Sequence, residues 1–295
     1  MIGIDWGSSG FRAYLLADDG RILDSRDAPL GITGLKPADY PDVIRRQVGD
    51  WLAGGSKTLL LSGMVGSRQG WREAPYVDCP AGLADLPARL CPVELGDGQQ
   101  AWIVPGLACR TADGLPDVMR GEEMQIFGAL DTDDEKSFCL PGTHSKHATA
   151  SRGRIIGFET AMTGEVFALL RQHGLLAAML PQGAVPFDAA SFRSGLDRSA
   201  DAGGLLHHLF GLRTRRLFDE LTPEAAPDYL SGLLIGHELR NGRWHGAVRI
   251  IASRELAGRY QLAFDHLGIA ASVEPEHAAA RGLYRLGRLL AGARS

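Results

Sequence analysis

The stretch IDWGSSGF, residues 4–11, places an acid, two small hydroxyl residues and two glycines directly after a short apolar run. Residues 2–5 predict a strand, and the Gly and Ser residues after them predict a tight turn. Two further strands are predicted over 11–17 and 21–26, joined by the turn signal at 18–20. The chain therefore begins with an antiparallel meander whose first turn is rich in backbone N–H donors.

The same pattern returns in SFCLPGTHSKHATASRGRII, residues 137–156. An apolar strand again leads into Gly and small hydroxyl residues, then a second strand, a tight turn and a third strand. The tetrapeptides at the two tight turns are also similar: GRIL at 20–23 and GRII at 153–156. Aligning Gly7 with Gly142 places Ser8 on Thr143, which indicates an internal duplication with a spacing of 135 residues.

The rest of the chain alternates predicted helices and strands, as an α/β protein does. An acidic linker at 131–135 separates two predicted domains, 1–132 and 133–295, and we expect the last helix to pack back on the first domain. A long surface loop is predicted over 62–82. Helices are predicted at 39–53, 121–130, 165–173, 204–210, 227–240 and 277–290, and strands at 58–64, 101–105 and 248–253.

The composition narrows the classes of partner. Of 295 residues, 45% are hydrophobic and 22% charged, and the formal net charge is −4. This balance predicts a packed globular protein with no excess positive potential for nucleic acid or anionic lipid. Because no signal segment, long apolar span or CxxC pair occurs, we expect a cytoplasmic protein with reduced cysteines. A homodimer is left open.

Two related glycine turns favour a polyphosphate ligand, because such turns direct backbone N–H groups and hydroxyls into one concavity. Asp5 precedes the first turn and is a candidate for Mg²⁺, through intervening water. Neither the P-loop nor the dinucleotide fingerprint is present. The candidate ATP and phosphate ligands are Gly7, Ser8 and Ser9 in the first turn and Gly142, Thr143, His144, Ser145 and Lys146 in the second.

Five segments carry a resemblance to a known family: IDWGSSGFRAYLL, SGMVGSRQGW, RGEEMQIFGAL, LPGTHSKH and FETAMTGE. In this order and spacing they resemble the 2-dehydro-3-deoxygalactonokinase family, over residues 2–282. The resemblance implies a duplicated actin-like ATPase (ribonuclease H-like) fold, with two α/β domains around an ATP cleft. It also implies a small-molecule substrate and transfer of the ATP γ-phosphoryl group to the C6 hydroxyl of 2-dehydro-3-deoxy-D-galactonate, with Mg²⁺.

The resemblance also suggests roles for individual residues. Related sugar kinases carry a Gly-Asp-Gln helix start where this chain has residues 121–123, so Glu122 is the first candidate for the general base and Glu123 the second. The adenosine motif of the superfamily corresponds to Ala252 and Ser253, which depart from its usual Gly-Gly pair. Ser253 is also a predicted helix N-cap.

A 2-keto acid substrate carries a carboxylate, which a planar guanidinium can bind with two parallel hydrogen bonds. Arg68 and Arg120 are the candidates for that contact, and Ser62, Trp71 and Tyr76 are candidates for the pocket wall. Two other functions stay open at this point. One is a kinase for a different sugar acid, such as 2-dehydro-3-deoxygluconate, and the other is a non-catalytic, nucleotide-dependent actin-like scaffold.

Overall fold

The computed structural model describes residues 1–55, 58–96, 98–130 and 135–292. Of the predicted linker at 131–135, residues 131–134 therefore lie outside the described residues. The strands are β1 (Ile2–Trp6), β2 (Phe11–Leu16), β3 (Ile22–Ala28), β4 (Leu59–Ser62), β5 (Tyr76–Asp78), β6 (Ala81–Gly82), β7 (Cys91–Gly96), β8 (Gln99–Ile103), β9 (Gly106–Arg110), β10 (Pro116–Met119), β11 (Lys136–Leu140), β12 (Ser145–Ser151), β13 (Arg154–Ala161), β14 (Val248–Ile250) and β15 (Ala271–Val273). The helices are α1 (Tyr40–Ala53), α2 (Glu122–Ala129), α3 (Thr163–Gln172), α4 (Gly174–Ala177), α5 (Ala189–Arg198), α6 (Gly204–Leu217), α7 (Ala226–Asn241), α8 (Arg254–His266) and α9 (Ala278–Gly292).

The chain forms two compact units, and the first comprises Met1–Glu135, Ala148–Glu159 and Glu274–Ser295. Its six-stranded sheet has the order β3-β2-β1-β4-β8-β7. The predicted meander is present, since β2 is antiparallel to both β1 and β3. After the turn back through α1, β4 lies parallel to β1 on its other side, and β8 lies parallel to β4.

The second unit comprises Lys136–His147 and Thr160–Val273. Its strands follow the order β15-β14-β11-β12-β13, with β14 parallel to both β11 and β15. Strands β12 and β13 run on into residues 148–159 of the first unit, where β13 pairs with β6. In both six-stranded sheets the two strands that follow the first strand lie on one side of it and a parallel strand lies on the other, so the predicted duplicated α/β fold is confirmed.

Most predicted helices and strands are present within a few residues of their expected ends, but α6 continues seven residues beyond the predicted end at residue 210. Six elements were not predicted: α4, α5, β7, β9, β10 and β15. The segment predicted as a loop over 62–82 contains the short strands β5 and β6. In the described part of the chain, no helix has both the length and the apolar character needed to cross a bilayer.

Strand β1 lies in the centre of the first unit and is buried along almost its whole length. The buried face of α1 packs with it, and Trp6 contacts Phe11 and Tyr40 edge-on at 5.0 and 5.1 Å. Gly3 lets α9 approach β1, because a Cβ there would lie 3.0 Å from the Leu283 side chain. Burial by neighbouring strands and helices explains why β1 reads as a continuous apolar run rather than an alternating one.

Each unit also contains a helix pair that crosses at backbone contact distance. In the first unit, a Cβ on Gly128 of α2 would lie 1.9 Å from the Ala278 carbonyl oxygen, and one on Gly282 of α9 would lie 1.9 Å from that of Met124. In the second unit, a Cβ on Gly232 of α7 would lie 1.9 Å from the Phe192 carbonyl oxygen of α5. Only glycine permits these approaches.

We expect Gly282→Ala to destabilise the protein, because α9 must move away from α2 to admit a methyl group. Overpacking of this kind costs about 1–3 kcal/mol, which lowers the Tm of a protein of this size by several degrees. Thermal unfolding followed by circular dichroism measures the effect. Gly211→Ala in α6 is the matched control, because a Cβ there meets no atom within 4 Å; an equal loss of Tm in both variants would contradict the packing argument.

Candidate active site

The first glycine turn follows β1 directly. The Gly7 N–H donates to the Gly10 carbonyl oxygen at 2.8 Å, and Ser8 and Ser9 are exposed at the tip. The chain returns behind the turn at Gly31, where a Cβ would lie 1.8 Å from the Ser8 carbonyl oxygen. The three predicted ligands of this turn therefore lie together, and the backbone at Gly31 packs against the turn at Ser8.

Three segments of the first unit converge on the Asp5 carboxylate at the end of β1. A Cβ on Gly63, after β4, would lie 3.3 Å from Asp5 Oδ1, and one on Gly121, before α2, would lie 3.7 Å from it. Burial raises the pKa of Asp5 to about 6; the Arg12 guanidinium opposes this rise and the Glu122 carboxylate adds to it. Asp5 and Glu122 thus form an acidic site at the start of α2.

The two glutamates of α2 lie in different environments. Glu122 is partly exposed, and its Oε2 accepts the backbone N–H of Arg120 at 3.0 Å. Glu123 is fully buried, and its Oε2 accepts the backbone N–H of Gly121 at 2.6 Å. Burial, followed by the charge of Glu122, raises the pKa of Glu123 to about 8, so it carries a proton at neutral pH. Only Glu122 of this pair reaches solvent.

Arg120 joins the acidic site to the segment before β5. It is buried, its Nη2 donates to the Ala74 carbonyl oxygen at 2.8 Å, and its guanidinium lies 4.3 Å from the centroid of the Tyr76 ring. The Nε and Nη1 atoms are buried and have no hydrogen-bond partner among the described residues. Buried donors without an acceptor are costly, so this guanidinium favours an anion beside it.

The side chains of the other three predicted substrate contacts have different surroundings. Ser62 is fully buried and donates to a backbone carbonyl of β1 at 3.3 Å, so its side chain belongs to the core. Trp71 is half-buried and stacks on Tyr40 with ring centroids 5.6 Å apart. Arg68 is exposed and pairs with Glu73 at 2.9 Å, an ion pair of a kind that adds little to stability.

The second glycine turn joins β11 to β12. Gly142 is half-buried, Thr143 and His144 are exposed, and His144 Nε2 lies 2.6 Å from Glu165 Oε2. A Cβ on Gly164 would lie 2.2 Å from the Gly142 carbonyl oxygen, so the start of α3 supports this turn from behind.

Both turns are supported in the same manner. The backbone N–H of Thr33 donates to the Ser8 carbonyl oxygen at 3.4 Å, and the backbone N–H of Glu165 donates to the Thr143 carbonyl oxygen at 2.9 Å. Ser8 and Thr143 are the two residues that the sequence alignment of the repeats placed together. The duplication therefore extends from the strands to the hydrogen bonds that hold each turn.

The residues after the second turn point inward. The Ser145 hydroxyl is fully buried and donates to Glu238 Oε1 at 2.7 Å, so any contact of Ser145 with phosphate would come from its backbone. Lys146 is buried, and its Nζ donates to Thr160 Oγ1 at 2.9 Å. Within the described part of the chain this ammonium group forms no ion pair, so its charge is left for an anion.

A cavity of about 450 Å³ opens beside the second turn, entirely within the second unit. This volume suits a small-molecule ligand. Ala252 and Ser253 do not line it; α8 lines it one turn further along. Ser253 is the N-cap residue of α8, as predicted, although its side chain makes no capping hydrogen bond. The lining residues include Thr143, Thr163, Asp228, Ser231, Arg259 and Tyr260.

Several site residues were not predicted from the sequence. Gly63 contacts Asp5 by virtue of the parallel pairing of β1 with β4. Arg259 donates from its Nη1 to Asp228 Oδ1 at 2.5 Å on the cavity wall. Glu238 is one of two buried acids of α7, the other being Asp228. Its place shortly after the run of small and apolar residues at 232–236 is a sequence signal that could have identified it.

The repeated strand order, with a glycine turn after the first strand of each repeat, defines the actin-like ATPase class. Solved structures agree on this fold: gluconate kinase from Lactobacillus acidophilus aligns with a TM-score of 0.55 at 10% sequence identity, covering 99% of this chain and 89% of that one. At such low identity the likeness concerns the fold alone.

The chain belongs to the 2-keto-3-deoxy-galactonokinase family, whose model matches residues 5–286. A 2-dehydro-3-deoxygalactonokinase of Escherichia coli (strain K12) is 38% identical over 272 residues, which are 90% of each chain. A crystal structure from Sinorhizobium meliloti, assigned to the same activity, aligns with a TM-score of 0.88 at 31% identity, covering 98% of both chains. The family predicted from the sequence motifs is thus confirmed.

We expect Glu123→Gln to change how stability depends on pH. Because the folded protein holds the Glu123 proton up to about pH 8 and the unfolded chain releases it near pH 4.5, wild-type stability falls as pH rises between these values. Glutamine carries no such proton, so the free energy of unfolding of the variant relative to that of the wild type should increase from pH 5 to pH 8, by up to about 1.4 kcal/mol per pH unit. The difference between the Tm of the variant and the Tm of the wild type should increase in the same direction.

The matched control is Glu94→Gln, which neutralises an exposed carboxyl on β7. Its Tm difference from wild type should stay nearly constant over the same pH range. A constant difference for Glu123→Gln as well would mean that Glu123 is ionised in the folded protein.

Proposed function

We propose that this protein transfers the γ-phosphoryl group of MgATP to the C6 hydroxyl of 2-dehydro-3-deoxy-D-galactonate, giving the 6-phosphate in galactonate breakdown. Membership of the 2-keto-3-deoxy-galactonokinase family is the observation that carries the proposal. Phosphoryl transfer of this kind needs in-line positioning, neutralisation of charge and a carboxylate near the attacking hydroxyl. Each requirement has a candidate group among the described residues.

The acidic site suits a divalent cation. Asp5 and Glu122 repel each other enough to contribute to the raised pKa of Asp5, and a cation beside them would relieve that repulsion. We assign Asp5 as the residue that would hold Mg²⁺, with water molecules between the carboxylate and the ion. Carboxylate and water oxygens are the ligands that this hard cation prefers. When bound, Mg²⁺ would neutralise charge on the phosphate oxygens.

Glu122 is the proposed general base, and its exposure favours it over Glu123. A base must come within hydrogen-bond reach of the hydroxyl that it deprotonates. Glu122 is partly exposed at the start of α2, whereas Glu123 is buried and bound to the Gly121 backbone. Glu123 then serves to hold the start of α2 in place.

Arg120 is the proposed partner of the substrate carboxylate, because its buried Nε and Nη1 have no acceptor among the described residues. Tyr76 covers the guanidinium and is 39% exposed, so it is the candidate wall residue beside it. Arg68 is a second candidate, since an exposed ion pair with Glu73 costs little to exchange for another carboxylate. Trp71 would support this segment through its stacking on Tyr40.

The nucleotide is proposed to bind the second glycine turn and the cavity beside it, which lie in the same unit. The first glycine turn is proposed as a phosphate ligand in its own right. Backbone N–H groups of both turns and the unpaired Lys146 ammonium suit phosphate oxygens. The cavity, lined by α3, α7 and α8, suits the adenosine. The proposed compartment is the cytoplasm, where MgATP is available.

Glu122→Gln should lower kcat by about 100-fold or more while changing the KM for the sugar acid much less, because a general base acts mainly in the transition state. Glu123→Gln is the matched control: it removes the neighbouring carboxyl, which is buried, and should retain kcat within a few-fold. Steady-state ADP release measures both. A larger loss of kcat in Glu123→Gln than in Glu122→Gln would reverse the assignment.

ADP release from MgATP should be fast with 2-dehydro-3-deoxy-D-galactonate, slower with its gluconate epimer and minimal without an acceptor. An active site that stabilises transfer to a positioned hydroxyl hydrolyses ATP slowly in its absence. Equal kcat/KM values with both epimers would mean that the enzyme accepts sugar acids as a class and is not specific for 2-dehydro-3-deoxy-D-galactonate. Turnover with neither, together with ATP-dependent assembly, would favour the scaffold function.

A further inference from the structure

We infer that Glu238 is a positioning residue for the nucleotide site, joining the second glycine turn to the helices that line the cavity. The inference rests on the proposed function, since it concerns how that site is held in shape. Glu238 lies on α7 and makes no contact with the cavity itself. Its side chain is 1% exposed.

Four side chains from three other elements donate to this one carboxylate. Ser145 Oγ and His147 Nε2 from β12 lie 2.7 Å from Oε1, and Tyr260 OH from α8 lies 2.6 Å from Oε2. The Thr163 hydroxyl, at the start of α3, is a further donor. A carboxylate can accept about four hydrogen bonds, so the group is fully satisfied without water.

The charge state follows from these contacts. Burial alone would raise the pKa of Glu238, but the hydrogen bonds from His147, Thr163 and Tyr260 outweigh it and hold the pKa below its ordinary value. Glu238 is therefore ionised and only accepts hydrogen bonds. Charge-assisted hydrogen bonds are shorter and stronger than neutral ones, as the distances of 2.6 and 2.7 Å indicate.

The donors are attached to the walls of the proposed nucleotide site. Ser145 follows the turn at Thr143 and His144, and precedes Lys146. Tyr260 and Thr163 line the cavity themselves, as do residues on the first half of α7. One buried charge thus fixes the distance between the phosphate turn and the walls of the cavity. Because Lys146 lies between two residues that bond to Glu238, its direction depends on the same carboxylate.

A metal centre is the other chemistry that these residues suggest, since ligand atoms of Cys139, His147 and Glu238 lie within 4.8 Å of one another. The geometry favours a hydrogen bond instead. Two ligands of a tetrahedral zinc ion with bonds of about 2.0–2.1 Å lie roughly 3.3 Å apart. His147 Nε2 and Glu238 Oε1 are 2.7 Å apart, a distance that fits a shared proton.

The test compares Glu238→Gln and Tyr260→Phe with Ser137→Ala. Tyr260→Phe keeps the buried ring and removes one hydroxyl. Ser137→Ala is the matched control, because Ser137 is equally buried in the same unit and its hydroxyl exchanges hydrogen bonds with the His245 backbone, away from the cavity. Calorimetry measures the Kd of a non-hydrolysable MgATP analogue, and ADP release measures kcat and KM. All measurements are made at a temperature below the Tm of each variant.

We expect the nucleotide Kd and the KM for MgATP to rise roughly tenfold or more in both test variants, with a smaller change in kcat. The control should keep its Kd within twofold even if its Tm falls. Unchanged nucleotide Kd in Glu238→Gln and Tyr260→Phe would overturn the inference, as would one equivalent of tightly bound zinc in the purified wild type. Failure of the wild type to bind the analogue would instead count against the proposed function.

Discussion

Close backbone contact at glycine is the constraint on which the functional parts of this molecule depend. Gly31 and Gly164 allow the chain to lie against the back of each glycine turn, at distances that leave no room for a Cβ. Gly63 and Gly121 lie beside Asp5, and both have a positive φ, at +91° and +112°, which residues with a side chain rarely adopt. These contacts hold backbone donors and carboxylates in fixed places without side chains to fill the space between them.

A second constraint is the cost of burying charge. The first unit brings Asp5, Glu122 and Glu123 together, with the Arg12 guanidinium acting on Asp5 and that of Arg120 on Glu123. Burial is the largest cause of the raised pKa values of Asp5 and Glu123, and two guanidinium nitrogens of Arg120 have no acceptor among the described residues. Such unbalanced sites destabilise a protein unless a ligand completes them, and they concentrate where function requires it. The acidic site is of this kind.

The second unit treats its buried charge differently. Glu238 has its full set of hydrogen-bond donors, and Cys139 and Tyr260 beside it belong to a buried hydrophobic cluster. A fully satisfied buried network rigidifies the elements that it joins. The buried charges of the two units therefore differ. The acids of the first unit lack a full set of partners, whereas the Glu238 carboxylate in the second unit has all its hydrogen-bond donors.

Local sequence signals were sufficient for the fold class and for the repeated turns. Strands, turns and helices of ordinary length depend on residues close in sequence, and the alignment of Ser8 with Thr143 matches the hydrogen bonds behind both turns. The strands β9, β10 and β15 have three to five residues, too few to show a periodicity of their own, and they are defined by their pairing partners. Local signals were present but overlooked for β7, which alternates exposed and buried residues, and for α5, which Asp188 caps.

By itself, the sequence determined the duplicated α/β fold, the family, the two glycine turns and the position of the acid pair Glu122 and Glu123, because contiguous motifs encode each of them. Only the tertiary structure decided which residue of each motif is buried and which is exposed. It buried Glu123 and left Glu122 partly exposed, placed Ser62 in the core, and directed Ser145 to Glu238, 93 residues away. Side-chain exposure depends on what packs over a residue, and that partner comes from distant parts of the chain.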